Sequence, residues 1–225
     1  MEAAQRVKLY RNAFEARRDA ERAKGMRAYM RDQFEFLGLP TPVRRQAAKS
    51  IDVIEPTRKQ LQDTAHALWE LPQREYRYAA LDLLARWKKL LTTADIPVLI
   101  KLANRQAWWD TVDGFASIIG KILLTQAKAG VAEVPLMEKA LVAKSLWTRR
   151  IAMLHQLGWK QATDEQRLFR YALALAHEED FFIRKAIGWA LRDYARQNAR
   201  AVRRFLATHG DQLSALSVRE AGKHL

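Results

Sequence analysis

Along this chain apolar residues recur at helical rather than strand spacing. No stretch keeps up the apolar and polar alternation of a half-buried strand over several successive runs, whereas stripes such as Ala80, Leu81 and Leu84, or Ile151 and Leu154, return every three or four residues. Pro40, Pro42, Pro56, Pro72, Pro97 and Pro135 fall between the periodic segments, where a missing backbone donor does least harm and a helix can begin. The pattern predicts an all-helical chain.

Four of the periodic segments resemble one another: YRYAALDLLARW from Tyr76, DTVDGFASIIGK from Asp110, TRRIAMLHQLGW from Thr148 and IRKAIGWALRDY from Ile183. Their starts are 34, 38 and 35 residues apart, a period that suits one antiparallel helix pair per repeat. The expectation is a curved solenoid of five or six HEAT-like helix pairs. No low-complexity stretch or Ser/Gly linker divides the chain, so residues 1–225 are read as a single domain. Stacking would place Tyr78, Val112, Arg150 and Lys185, which hold equivalent positions, along one surface. That surface is expected to be a cationic concave face.

Charge changes the picture from a scaffold to a polyanion binder. Lys and Arg number 39 against 25 Asp and Glu, a net charge of +14 that exceeds what solubility asks for. The densest basic stretch runs from Arg184 to Arg204, with Lys185, Arg192, Arg196, Arg200 and Arg203 between them and Asp193 as the one acid. A cationic face about 20 Å wide would hold a nucleic-acid duplex by its phosphates, with affinity falling steeply as salt rises. An anionic membrane surface is the competing partner, but no amphipathic segment sets an aromatic face against lysines. No segment has the ~20 apolar residues of a membrane span, and the absence of cysteine agrees with a reducing cytoplasm.

Without cysteine there are no disulfides, thiolate metal sites or thiol nucleophiles. His66, His155, His177, His209 and His224 lack metal-ligand spacing, and neither a phosphate-cradling Gly-rich loop nor GxSxG occurs. No metal and no cofactor is expected. Chemistry is left to carboxylates, aromatics and cations, and these concentrate in Trp108-Trp109-Asp110-Thr111-Val112-Asp113. Asp110 reads as the N-cap of a helix and Asp113 as a first-turn acid favoured by the helix dipole. Alternatively, Trp109 and Asp113, four apart on one helical face, set a carboxylate beside an indole wall. In the other repeats the position of Asp113 is held by Ala79, Ile151 and Ala186, so an acid replaces packing residues there. Trp189, four residues after Lys185, reads first as core, as a lone tryptophan in an apolar helix usually is, and alternatively as an aromatic offered to whatever occupies the groove. Tyr29 on its own reads as a helix-face tyrosine with its hydroxyl in water.

With these residues in view, the chain resembles the AlkD family of bacterial DNA alkylation repair enzymes. The resemblance runs through AYMRDQFEFLGLPTPVRR, ALWELPQREYRYAALDLL, WWDTVD, LWTRR, FFIRKAIGWALRDYA and LSVREAGKHL, nearly the whole chain beyond the first 20 residues. It implies a HEAT-like-repeat glycosylase that releases N3- and N7-alkylated purines from duplex DNA without flipping the base. It further implies that Asp113 is the catalytic carboxylate, that Trp109 and Trp189 are aromatic walls against the deoxyribose, and that Tyr29 lies near the lesion. Arg150 aligns best with the family's backbone-binding arginine, with Arg149 beside it as the second candidate. Lys185 and Arg184 are expected to join in holding phosphates. The partner is then double-stranded DNA, acted on by a monomer. A helical-repeat protein that binds distorted DNA without chemistry is the alternative, and a protein-binding scaffold with incidental charge is a third.

Overall fold

The computed structural model describes residues 1–130 and 135–225. Among the described residues the chain is helical, with no strand beyond a single backbone bridge between Glu35 and Gln73. The all-helical expectation holds. The helices gather into two compact units, Met1–Leu91 and Thr92–Leu225.

The first unit contains α1 (Ala3–Glu15), α2 (Ala20–Tyr29), α3 (Thr41–Asp52), α4 (Arg58–Trp69) and α5 (Arg74–Arg86). The starts follow the sequence signals. Asp19 caps α2 by accepting from the Arg22 amide, Pro42 sits in the first turn of α3, and Thr57 with Gln60 forms a reciprocal capping box at α4. α1 packs on α3 and α4, and α5 packs on α3 and α4, around a core that includes Tyr10, Phe14, Leu61, Leu68, Trp69, Tyr76 and Leu84.

Just before α3, three successive backbone amides lie outside any helix, and a buried acid accepts their hydrogen bonds. Glu75, fully buried on α5, accepts from the amides of Leu37, Gly38 and Leu39 at 3.0, 2.9 and 3.1 Å. Gly38 is required there, because its φ is +93° and a Cβ would lie 2.0 Å from the Asp19 carbonyl oxygen. This brace fixes the segment that follows Tyr29. Glu75→Gln turns one accepting oxygen into a donor facing an amide, so it should cost about 1 to 3 kcal/mol. The measurement is the midpoint of urea unfolding; an unchanged midpoint would show that the three amides find other partners.

The second unit is a two-layered stack. Its helices are α6 (Ile96–Ala103), α7 (Trp109–Lys128), α8 (Leu136–Leu141), α9 (Leu146–Leu154), α10 (Glu165–Ala174), α11 (Phe181–Ala195), α12 (Ala199–His209) and α13 (Ala215–Ala221). In one layer α7 packs on α9, α9 on α11 and α11 on α13; in the other, α6, α8, α10 and α12 pack on α7, α9, α11 and α11 in turn. The look-alike segments lie in α5, α7, α9 and α11, so those of the second unit are successive members of one layer. α7 and α9 approach closely because position 120 is glycine: a Cβ there would lie 1.8 Å from the His155 carbonyl oxygen. That contact brings the N-terminal half of α7 alongside α9.

The proposed surface row is corrected. Val112 is fully buried and Arg150 is 1% exposed, because this position of α7 and α9 faces the neighbouring helix rather than water. Ala79, Ile151 and Ala186, equivalent to Asp113, are buried packing residues, which makes the acid at 113 an exception within its own repeat pattern.

Candidate active site on the α7–α9–α11 layer

Asp113 is not a helix cap, nor is Asp110. α7 begins at Trp109, with Trp108 as its N-cap and no side-chain capping bond, so Asp110 lies in the first turn and Asp113 beyond it. The carboxylate turns instead to α9. Arg150 donates from Nε to Asp113 Oδ1 at 2.7 Å and from its terminal nitrogen to Oδ2 at 2.8 Å, a fork-on-carboxylate pair. The other terminal nitrogen of Arg150 donates to the backbone carbonyl of Phe182 at the start of α11. One guanidinium therefore fixes a carboxylate on α7 and the N-terminal turn of α11. Asp113 keeps 23% of its side chain exposed while Arg150 keeps 2%, so the acid faces outward and the arginine lies beneath it.

Burial pushes the Asp113 carboxyl above the ordinary carboxylate range; the hydrogen bonds and charge of Arg150 pull it back, and Asp110 adds a smaller upward push. The group is thus a partly desolvated carboxylate with a fixed orientation.

Trp189 on α11 completes the arrangement. The Arg150 guanidinium carbon is 5.5 Å from its ring centroid and Lys185 Nζ is 5.7 Å away. Lys185 is held in turn by Glu220 on α13, at 3.0 Å, and Glu220 also receives Arg192 and Lys223; Lys223 and Lys185 keep its carboxyl low, at about 2. Two ion pairs with one buried partner each, Asp113–Arg150 and Glu220–Lys185, bracket the indole across four consecutive helices of one layer. Trp109, one turn before Asp113 on the same helix, is half-buried.

The remaining anticipated residues lie elsewhere or do other work. Arg149 forms an ion pair with Glu178 and donates to the carbonyls of Ala143 and Lys144, while Arg184 donates to the Glu178 carbonyl at 2.9 Å. Both clamp the turn before α11. Arg150 was expected to bind a phosphate; here its guanidinium is buried against Asp113 and Phe182, with its charge already matched. Tyr29 ends α2 in the first unit and is 72% exposed.

Some of the layer's residues had no role assigned from the sequence. Trp108, Trp147 and Phe182 form an aromatic cluster at the N-terminal ends of α7, α9 and α11, with centroids 5.0 to 5.7 Å apart. Glu220 lies in the quoted block LSVREAGKHL without a role assigned to it, and nothing local marks it as the partner of a lysine on another helix. No group of His, Cys, Asp and Glu that would hold a metal occurs among the described residues. No helix among them is long and apolar enough to cross a membrane.

The family model described as DNA alkylation repair enzyme matches residues 10–225. A solved structure described as a predicted DNA alkylation repair enzyme from Enterococcus faecalis is similar at 30% identity with a TM-score of 0.83, over 92% of this chain and 96% of that one. Among curated protein sequences none matches.

Proposed function

Since the chain belongs to the DNA alkylation repair enzyme family, we propose that it is a monofunctional glycosylase, hydrolysing the N-glycosidic bond of cationic N3- and N7-alkylated purines in duplex DNA. The observation that carries this reading is the outward-facing Asp113 carboxylate, oriented through both oxygens by buried Arg150 beside Trp189.

Alkylation at N3 or N7 already gives the purine a positive charge, so the base departs neutral and needs no general acid. Positive charge develops on the deoxyribose as an oxocarbenium ion, and a fixed, partly desolvated carboxylate stabilises that charge better than it stabilises the ground state. Asp113 also serves to orient the attacking water and accept its proton. Trp109 and Trp189 offer ring faces to the increasingly positive sugar edge, worth about 1 to 2 kcal/mol each when desolvated. Lys185 is engaged by Glu220 rather than free as an amine nucleophile, which supports hydrolysis to an abasic site without strand cleavage. Arg150 acts first as the residue that aims Asp113. Tyr29 serves the phosphate backbone, and residues 1–225 act together as one enzyme without metal or cofactor.

The test is product analysis with a duplex carrying one 7-methylguanine. Free 7-methylguanine and an intact abasic strand are expected. Duplex binding with no base released would leave the non-catalytic binder; no salt-dependent duplex binding would leave the scaffold.

The pH dependence follows from Asp113. The carboxylate form is the active one, and its pKa lies above the ordinary range, so base release should be lost as pH falls through a value higher than the ~4 of a free aspartate. A single-turnover pH profile measured down to the limit of folding checks this. A rate flat to below pH 4 would remove the carboxylate from the rate-limiting step.

A further inference from the structure

The basic stretch from Arg184 to Arg204 divides into two groups once partners are assigned. Lys185 and Arg192 are paired with Glu220, Arg184 donates to the Glu178 backbone carbonyl, and Arg204 lies 4.0 Å from Glu165. Arg196, which ends α11, and Arg200 and Arg203 on α12 are exposed, and no acid partners them among the described residues. α12 belongs to the other layer and buries Ala201, Val202 and Phe205 against the stack, leaving its arginines on the outside.

Arg200 does nothing for the helix that bears it: it lies in the first turn of α12, where the macrodipole disfavours positive charge, and no acid occupies that turn to offset it. A helix selected for stability alone would carry acids there. The neighbouring exposed residues are Gln197, Asn198, Ala207 and Thr208, and none of the large exposed hydrophobics lies on α12, so the strip has nothing to insert into a bilayer. It also has no exposed aromatic with which to stack on a base. Guanidinium groups with free forks and polar neighbours suit phosphodiester oxygens, contacted without reading sequence.

We propose that Arg196, at the C-terminal end of α11, together with Arg200 and Arg203 on α12, forms a second anion-binding strip along the α11–α12 turn and the outer side of α12, and that it takes the phosphate backbone of a second stretch of double-stranded DNA. The protein then holds two duplex segments at once, one at the Asp113 layer and one at α12. The strip stands on its own charge and exposure; that it holds a second duplex beside a first rests on the reading of the Asp113 layer as a DNA-binding face, which the anisotropy of the triple variant checks separately.

The experiment mixes the full chain with two short undamaged duplexes, one labelled with an energy-transfer donor and the other with an acceptor. Wild-type protein should bring donor and acceptor together. The triple variant Arg196→Gln/Arg200→Gln/Arg203→Gln should lower transfer to background while still binding one duplex by anisotropy. A control that removes the same charge from the first unit, Lys8→Gln/Arg11→Gln/Lys49→Gln, should leave transfer as in the wild type. Absence of transfer with wild-type protein, or equal transfer in wild type and triple variant, overturns the proposal. So does equal loss in the control, which would assign the effect to net charge. Absence of transfer together with binding to phosphatidylserine vesicles that the triple variant loses would assign the strip to a membrane instead.

Discussion

Asp113→Asn should release 7-methylguanine at least about 100-fold more slowly than the wild type, with duplex affinity unchanged, because it removes the one charge that is stronger for the transition state than for the ground state. The substitution is nearly isosteric. Its carbonyl oxygen still accepts from Arg150, while the new amide faces a guanidinium donor, so a stability loss of about 1 to 3 kcal/mol accompanies the kinetic effect. Single-turnover release and thermal melting, measured on the same preparation, separate the two. A variant that melts like the wild type and still releases base at the wild-type rate would assign Asp113 to packing alone.

Arg150→Ala should be the most destabilising single change in the site, by about 3 to 5 kcal/mol, because it strands the Asp113 carboxylate and the Phe182 carbonyl together. It removes the anchor between α7, α9 and α11 and so should slow base release as well. Arg150→Lys distinguishes the two roles. An ammonium restores charge but cannot bond both carboxylate oxygens and the carbonyl in one plane, so stability should recover in part while base release stays about 10-fold or more below wild type. Full recovery of release in Arg150→Lys would show that a nearby charge, not a fixed carboxylate, is what the site needs.

The sequence was most informative where the signal is local and periodic. The helices, the proline-marked breaks between them and the succession of α7, α9 and α11 were all legible from spacing, and the acid at 113 stood out because its repeat equivalents are packing residues. What spacing could not say was what each cation faces. Arg150 was expected on a surface row and lies under Asp113; Lys185 was expected on phosphate and is paired with Glu220; Arg149 and Arg184 close on one loop residue, Glu178. Each of these pairs joins residues 29 to 37 positions apart, or a side chain to a backbone carbonyl, and neither leaves a mark in composition. Glu75 illustrates the same limit, since its three backbone partners lie 36 to 38 residues away.

The sum of charge was informative but its distribution was not. Part of the basic stretch is consumed in fixing the layer around Trp189, and the free part lies on α12 in the other layer. A count of +14 treats these alike.

On the proposed mechanism Asp113 assists hydrolysis of the bond to a base that is already cationic, with no general acid. The measurement that tests it most directly is single-turnover release by the wild-type protein from two duplexes of identical sequence, one carrying 7-methylguanine and the other hypoxanthine. Release of 7-methylguanine is expected, with no detectable release of the neutral base. No release from the first, or comparable release from both, would contradict it.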